Sequence, residues 1–408
     1  MISLASGAVI VQAIPILTMP FLTRMYQPED FSVLAIYTAL VTVLGPLVTG
    51  RYEMAIMHAD SETDARQALG LSTTLTFFMS IFFAALLWLF AEPVAELLGH
   101  TSLVNEIRWI FIPLLATGMI QSYSLYLNWA SKFGKISIGR VTQNLTTSAT
   151  SLTLGAKGFA GGLIWAQISG LMLSSIFFWK SSKLKGDLPS WAQLKVTAKK
   201  YSQYPIFSAP AALLDTASMS ACIFVLGRFY PQDVLGQFSL THRLLLVPMV
   251  LIGTSVGQAF FQHAATNYRE GAKLLPLLSQ TSRKLLLYSL PGFIVAFALA
   301  PDFFALVFGQ SWRTAGEYTR IVAAGYWIRL AVSPVSSVFM VVHRVKVGTF
   351  WQVSYFCTSF IVLGSGAALQ LPIKSFLILY TAHEVVMYGF FYWLARRVCI
   401  QQKEERIS

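Results

Sequence analysis

Arginines and carboxylates set inside apolar stretches are the residues of this chain whose types and positions could do chemistry. Arg51 and Glu53, Asp215, His242-Arg243, Arg329 and His383-Glu384 all fall in runs that otherwise read as hydrocarbon-spanning, and Arg24 and Arg228 close two more. A charge at that depth is costly, so such groups face a bundle interior or a water-filled cavity and pair with one another. Arginine keeps its charge and presents a planar fork of donors, so several converging on one cavity would bind a diphosphate without a metal. Arg24, Arg51, Arg243 and Arg329 are therefore candidate substrate contacts. The competing reading is that Arg51 pairs with Glu53 or snorkels to the interface, and that Arg24 and Arg228 are ordinary helix-end residues.

Asp215 shares a helical face with Ser208, Ala211, Ser218 and Cys222, a small, polar face suited to a cavity wall or to close helix contact. Asp215 and Glu384 are candidate ion-coupling sites, or else they neutralise Arg243 or Arg329 structurally. Gln143, Thr147 and Thr150 belong to an unusually polar run, Val141 to Ser151, that could hydrogen-bond sugar hydroxyls or neighbouring helices. The six histidines show no metal-ligand spacing, and no glycine loop followed by Lys-Ser/Thr cradles a nucleotide phosphate. No metal, cofactor or catalytic residue is implied. Cys222, Cys357 and Cys399 have no paired spacing, so no disulfide framework follows.

These residues must be positioned by membrane helices. The chain of 408 residues is 55% hydrophobic and 12% charged, and apolar runs of about 20 residues recur along it. Without period-2 alternation the spans are helical, since hydrocarbon demands that every backbone amide be bonded within its own segment. Candidate spans are 4–23, 31–57, 71–90, 107–128, 136–154, 158–179, 205–227, 237–261, 285–307, 321–342, 349–370 and 375–394. The first, which begins near Met1 and contains Pro15, Pro20 and Arg24 in place of a cleavage site, reads as a retained span.

With twelve spans and the N-terminus inside, 20 Lys and Arg fall in cytoplasmic segments against 7 outside, which places both termini in the cytoplasm. The expected fold is an all-α polytopic membrane protein of two six-helix bundles, 1–180 and 205–396, with a cytoplasmic linker at 181–204 and a tail at 397–408. The linker's lysines flank a Gly186-Asp187-Leu188-Pro189 turn. The net charge of +12 sits between hydrophobic runs, where it orients helices and meets anionic lipid heads, so it does not indicate nucleic acid.

Arg228-Phe229-Tyr230-Pro231-Gln232-Asp233 repeats Arg24-Met25-Tyr26-Gln27-Pro28-Glu29-Asp30 with one deletion, 204 positions on, as a duplicated half would give. Pro15/Pro20 and Pro205/Pro210 suggest a different register. Because six is even, a duplication would be parallel, about a pseudo-two-fold axis along the membrane normal, with binding between the halves.

The stretch from Gln12 to Glu53, with Pro20, Arg24-Met25-Tyr26, Pro28-Glu29-Asp30-Phe31 and Arg51-Tyr52-Glu53 running on into Met54-Ala55-Ile56, resembles the start of the bacterial polysaccharide-repeat flippases. These are the O-antigen and capsule translocases of the multidrug/oligosaccharidyl-lipid/polysaccharide exporter superfamily. The motif covers roughly the first seventy residues, and Ser32 stands where the family usually has glycine. The resemblance implies an inner-membrane protein that moves an undecaprenyl-diphosphate-linked oligosaccharide to the periplasmic leaflet by ion-coupled alternating access. It also implies a polysaccharide polymerase and a chain-length regulator as candidate partners, beside membrane lipids. The related peptidoglycan-precursor flippases use cavity arginines on helices one, two and eight. Arg24 and Arg51 match in motif context, and Arg243 by helix position alone. A small-molecule antiporter of the same superfamily and a membrane polysaccharide polymerase are the alternatives.

Overall fold

The computed structural model describes residues 2–159, 161–182 and 189–404, with side chains from 11 to 401. Lys183, Lys185, most of the expected linker turn and Arg406 lie outside the described residues. Long helices dominate: α1 (Ile2–Met25), α2 (Pro28–Val48), α3 (Glu62–Leu89), α4 (Phe111–Trp129), α5 (Phe133–Ala156), α6 (Gly162–Ser182), α7 (Ala209–Phe229), α8 (Gln232–Arg269), α9 (Leu274–Phe308), α10 (Arg313–Val332), α11 (Val345–Ala368) and α12 (Ile373–Glu404). Among the described residues eight helical segments are long and apolar enough to cross a membrane, and nine if the bent pair Thr101–Arg108 and Phe111–Trp129 counts as one. The protein is an all-α polytopic membrane protein.

α3 shows the membrane logic in one helix. Phe77, Phe78, Phe82 and Trp88 are exposed, while Ser72, Thr76 and Ser80, four residues apart, are buried. The apolar side faces outward because lipid is there, and the small polar side faces protein, where Ser72 and Thr76 find partners while Ser80 Oγ has none among the described residues. Ser72 and Ser122 lie 2.6 Å apart, and Thr76 Oγ1 donates to Ser72 O.

Two compact units divide the chain, Met1–Gly236 and Gln237–Ser408. In the first, α5 pairs with α6 and with α1, α3 and α6 both pack on α4, and α7 packs on α2. One end of this unit gathers Arg66, Lys132, Lys135, Lys195, Lys199 and Lys200. Lys135 Nζ donating to Ser181 O and Trp129 Nε1 to Ala59 O tie that end together. In the second unit α10 packs against α9 and α12. A polar ladder joins α8 to the start of α10: Gln237 Nε2 donates to Ser311 O, Gln237 Oε1 accepts from Ala315 N, and Thr241 Oγ1 donates to Ala315 O at 2.7 Å.

The turn before α2 follows from its sequence. Gln27 is extended (φ −83°, ψ 162°), Pro28 opens the helix, and Asp30 Oδ2 accepts from Gln27 N at 2.9 Å. Proline loses nothing at a position whose N–H has no helical partner, and acidic residues suit the positive N-terminal end. Ser32 is buried with Oγ 3.3 Å from His100 Nε2, so the hydroxyl at this position has a use. The similar motif at Arg228 to Asp233 is built alike: α7 ends at Phe229, Tyr230 is extended, and Asp233 lies in the first turn of α8.

Several helix ends differ from the expected spans. α2 stops at Val48, short of residue 57, because Gly50 (φ 56°) and Arg51 (φ 62°) are both left-handed; a 3-10 segment, Tyr52–His58, follows. The expected span 107–128 is broken, with a 59° bend between Arg108 and Phe111, and Pro113 then sits in the first turn of α4, where its missing N–H costs nothing. α8 and α9 run to 38 and 35 residues, far beyond 237–261 and 285–307. Hydropathy locates the hydrocarbon portion and is silent where a helix continues into water. α10 gives way at Val332 to a 3-10 turn over Ser333–Val335, where Pro334 cannot extend the helix.

Gly99 joins the short helix Ala91–Leu97 to the chain at φ 75°, and a Cβ there would lie 2.2 Å from Gly227 O. Gly158 has a similar φ of 68° with nothing within 4 Å. Gly158→Ala should therefore cost only the left-handed backbone term, about 1–2 kcal/mol. Gly99→Ala should cost clearly more, because its overlap is with backbone. Melting midpoints of the two purified variants check this; equal losses would mean the contact is soft.

Candidate functional site

Each unit brings some of the candidate residues together. In the first, α2 ends beside Ser208, just ahead of α7, and the left-handed Arg51 turns its side chain there. Arg51 Nε donates to Ser208 Oγ at 3.5 Å, and Arg51 Nη1 lies 3.3 Å from Glu53 Oε1. The Arg51 side chain is 26% exposed while Glu53 is 2% exposed. The guanidinium thus keeps water-facing donors after neutralising a buried carboxylate, as an anion contact requires.

Glu53 lies beyond the end of α2, and burial pushes its carboxyl above the ordinary range, against the opposing pull of Arg51. A raised carboxyl pKa means that the folded state prefers the proton. The associated stability is full below the ordinary value of 4.5 and is lost as pH rises through the raised value. Glu53→Gln, which removes the buried charge and keeps the shape, is therefore expected to melt a few degrees higher than wild type at neutral pH. That gap should close on acidification. A gap that is constant from pH 7 to pH 4 would contradict the assignment.

Arg24 is exposed at the end of α1 and forms no hydrogen bond or ion pair among the described residues. Arg228 is also exposed, and its Nη1 donates to Glu96 O at 3.2 Å. On α5, Gln143 Oε1 is buried without a hydrogen-bond partner among the described residues. Thr147 packs on α6 so closely that a Cβ on Gly170 would lie 2.0 Å from its Oγ1. Thr150 Oγ1 accepts from Ser169 Oγ at 3.2 Å, and Asn144 Nδ2 donates to Val11 O at 2.6 Å. Most of this polar run thus serves helix contact, and Gln143 is the member with an unused acceptor. Asp215 is exposed on α7, whereas Ser218 and Cys222 are buried, so the face read as continuous is split between two environments.

In the second unit Arg329 and Glu384 come together. Arg329 Nη1 lies 3.9 Å from Glu384 Oε2, both side chains being nearly inaccessible. Tyr355 donates its hydroxyl to Glu384 Oε1, and the Arg329 guanidinium sits 5.6 Å from the centre of the Tyr388 ring. His383 Nε2 is 2.9 Å from Thr358 Oγ1, and its ring stacks on Tyr355. Arg329 Nε is buried with no hydrogen-bond partner among the described residues. Half-buried Arg243 lies on α8, next to His242, whose Nδ1 meets the Tyr326 hydroxyl. Sequence reasoning missed Tyr355, Thr358, Tyr326 and Tyr388. The available signal was that a tyrosine inside an apolar helix needs a partner for its hydroxyl.

Each unit thus holds a buried carboxylate beside an arginine, Glu53 with Arg51 and Glu384 with Arg329. The sequence model of a family described as "Polysaccharide biosynthesis protein" matches residues 21–317. The teichuronic acid biosynthesis protein TuaB of Bacillus subtilis (strain 168) is 22% identical over 307 residues, covering 73% of this chain and 61% of TuaB. The chain thus spans about three fifths of that relative. A protein of Shigella flexneri proposed as an O-antigen transporter is 21% identical, over 81% of this chain and 82% of its own length. The succinoglycan biosynthesis transport protein ExoT of Rhizobium meliloti (strain 1021) is 22% identical, over 75% of this chain and 61% of its own. Among solved structures, the lipid II flippase MurJ in an inward closed conformation superposes with a TM-score of 0.77 at 11% identity, covering 98% of this chain and 90% of MurJ. An inward-facing multidrug resistance MATE family transporter of the MOP superfamily gives a TM-score of 0.67 at 13% identity, over 97% and 99%.

Proposed function

Because the chain belongs to the polysaccharide biosynthesis protein family and carries the fold shared by MurJ and the MATE transporters, we propose that it flips undecaprenyl-diphosphate-linked oligosaccharide repeats across the bacterial inner membrane for O-antigen or another surface polysaccharide. The observation that carries this reading is the likeness to a lipid flippase over 98% of the chain, joined to relatives that are named for polysaccharide transport or synthesis. The MATE likeness keeps a small-molecule antiporter as the second reading, at a lower TM-score.

In this account α1 to α12 are twelve spans in two six-helix halves with both termini cytoplasmic. Support comes from the nine apolar segments, from the 24, 24 and 32 residues of α1, α5 and α12, and from the basic end of the first unit. Arg24 and Arg51 contact the diphosphate or sugar acids, with Arg243 and Arg329 as further cationic contacts and Gln143 and Thr147 toward the sugars. Glu384 is the better placed of the two coupling candidates, Asp215 being exposed. A proton gained by the Glu384 carboxylate would remove the charge that holds Arg329, while leaving an oxygen to accept from Tyr355. A polymerase and a chain-length regulator would act on the product outside.

Purified protein reconstituted into vesicles with a lipid-diphosphate oligosaccharide tests the proposal. The labelled lipid should become accessible from the opposite leaflet faster than in empty vesicles, in response to an ion gradient. Counterflow of small cations with no movement of the lipid would favour the antiporter.

A further inference from the structure

Between α6 and α7 a ten-residue helix, Trp191–Lys200, lies against the N-terminal part of α3. It is capped, with Ser190 Oγ accepting from Gln193 N and Gln193 Oε1 accepting from Ser190 N at 2.8 Å. Its buried side, Leu194 and Thr197, docks on α3, and Lys200 Nζ and the neighbouring Tyr201 hydroxyl both donate to Asp64 Oδ2, at 2.9 and 2.8 Å. Tyr52 adds a hydrogen bond to Ala198 O at 3.2 Å. The helix is thereby fixed at the mouth of a membrane span.

Between it and α3 opens an apolar hollow of about 190 Å³, whose walls include Leu71, Leu75 and Phe78 on one side and Trp191, Leu194 and Lys195 on the other. Trp191 is 63% exposed and Val196 69%. Lys195 and Lys199 are exposed and make no ion pair among the described residues, and Asp64 is already engaged by Lys200. An exposed tryptophan, unneutralised lysines and a greasy hollow running along a membrane helix match the parts of an anionic lipid: interface, phosphate and acyl chain.

We propose that this hollow is a binding site for one anionic phospholipid, its acyl chain lying along α3 and its phosphate at Lys195 and Lys199. Charge selects the head group, since a zwitterionic lipid brings no net negative charge to the two ammonium groups. The site lies outside the residues assigned to the oligosaccharide and does not depend on them. The lipid fastens the segment joining α6 to α7 to the bilayer surface.

The full-length protein in phosphatidylcholine nanodiscs, doped with equal fractions of dibrominated phosphatidylglycerol or dibrominated phosphatidylcholine, tests this by tryptophan quenching. The Trp191 contribution is the part lost in Trp191→Phe, a variant that keeps an aromatic wall. Quenching of that part should be about fivefold stronger with the anionic lipid, and the Lys195→Gln/Lys199→Gln variant should bring the ratio to one. Equal quenching by both lipids in the wild type would reduce the site to ordinary bilayer contact and overturn the proposal. Absence of Trp191 quenching by either lipid would also overturn it and leave the patch to a protein partner.

Discussion

Arg329→Ala and Glu384→Ala should each lower unfolding free energy by about 3–5 kcal/mol, because each leaves the other charge buried and uncompensated. The double variant should lose much less than the sum, since removing both charges removes the desolvation cost as well. Both side chains are nearly inaccessible and Tyr355 already fills one lone pair of the carboxylate, so water cannot take the missing partner's place. Denaturation of the four proteins in one detergent measures the cycle. Additive losses would mean that the two groups do not interact, and the coupling role proposed for Glu384 would lose its basis. If the double variant folds well and transports nothing, the pair serves function beyond stability.

Arg51→Ala should cut delivery of lipid-linked repeats roughly 10- to 100-fold, the equivalent of losing one or two charge-assisted hydrogen bonds of about 1.5–3 kcal/mol. Glu53→Gln is the matched control, because it leaves the guanidinium and its Ser208 contact in place, and should export near the wild-type level. Surface polysaccharide per cell, normalised to the amount of each protein in the membrane, is the readout. Normal export by Arg51→Ala would assign that arginine to the neutralisation of Glu53 alone. Comparable losses in both variants would point to a local structural defect.

Much of the fold was legible because hydrocarbon imposes a length and a composition. The polar run at Val141 to Ser151 still forms a helix, α5, and Pro28 with Asp30 announces the start of α2 in a way that capping chemistry explains. Helix ends were harder. Nothing in Gly50-Arg51 says that both residues turn left-handed, since arginine seldom does so, and the polar ends of α8 and α9 carry no hydropathy signal. The site was legible by residue type and not by pairing. That Arg329 needs a partner follows from its depth, but that the partner is Glu384, with Tyr355 on the other oxygen, depends on how α10, α11 and α12 pack. Asp215 was drawn toward the site by a helical face that tertiary packing then divided.

The most direct test of the flippase account is leaflet accessibility of the lipid-linked repeat in cells lacking this protein, and again after restoring wild type, Arg51→Ala or Arg243→Ala. Repeats held on the cytoplasmic face, released by the wild type and not by the arginine variants, are the predicted result. Single repeats that reach the periplasmic face normally and only fail to be joined would contradict it and move polymerisation into first place.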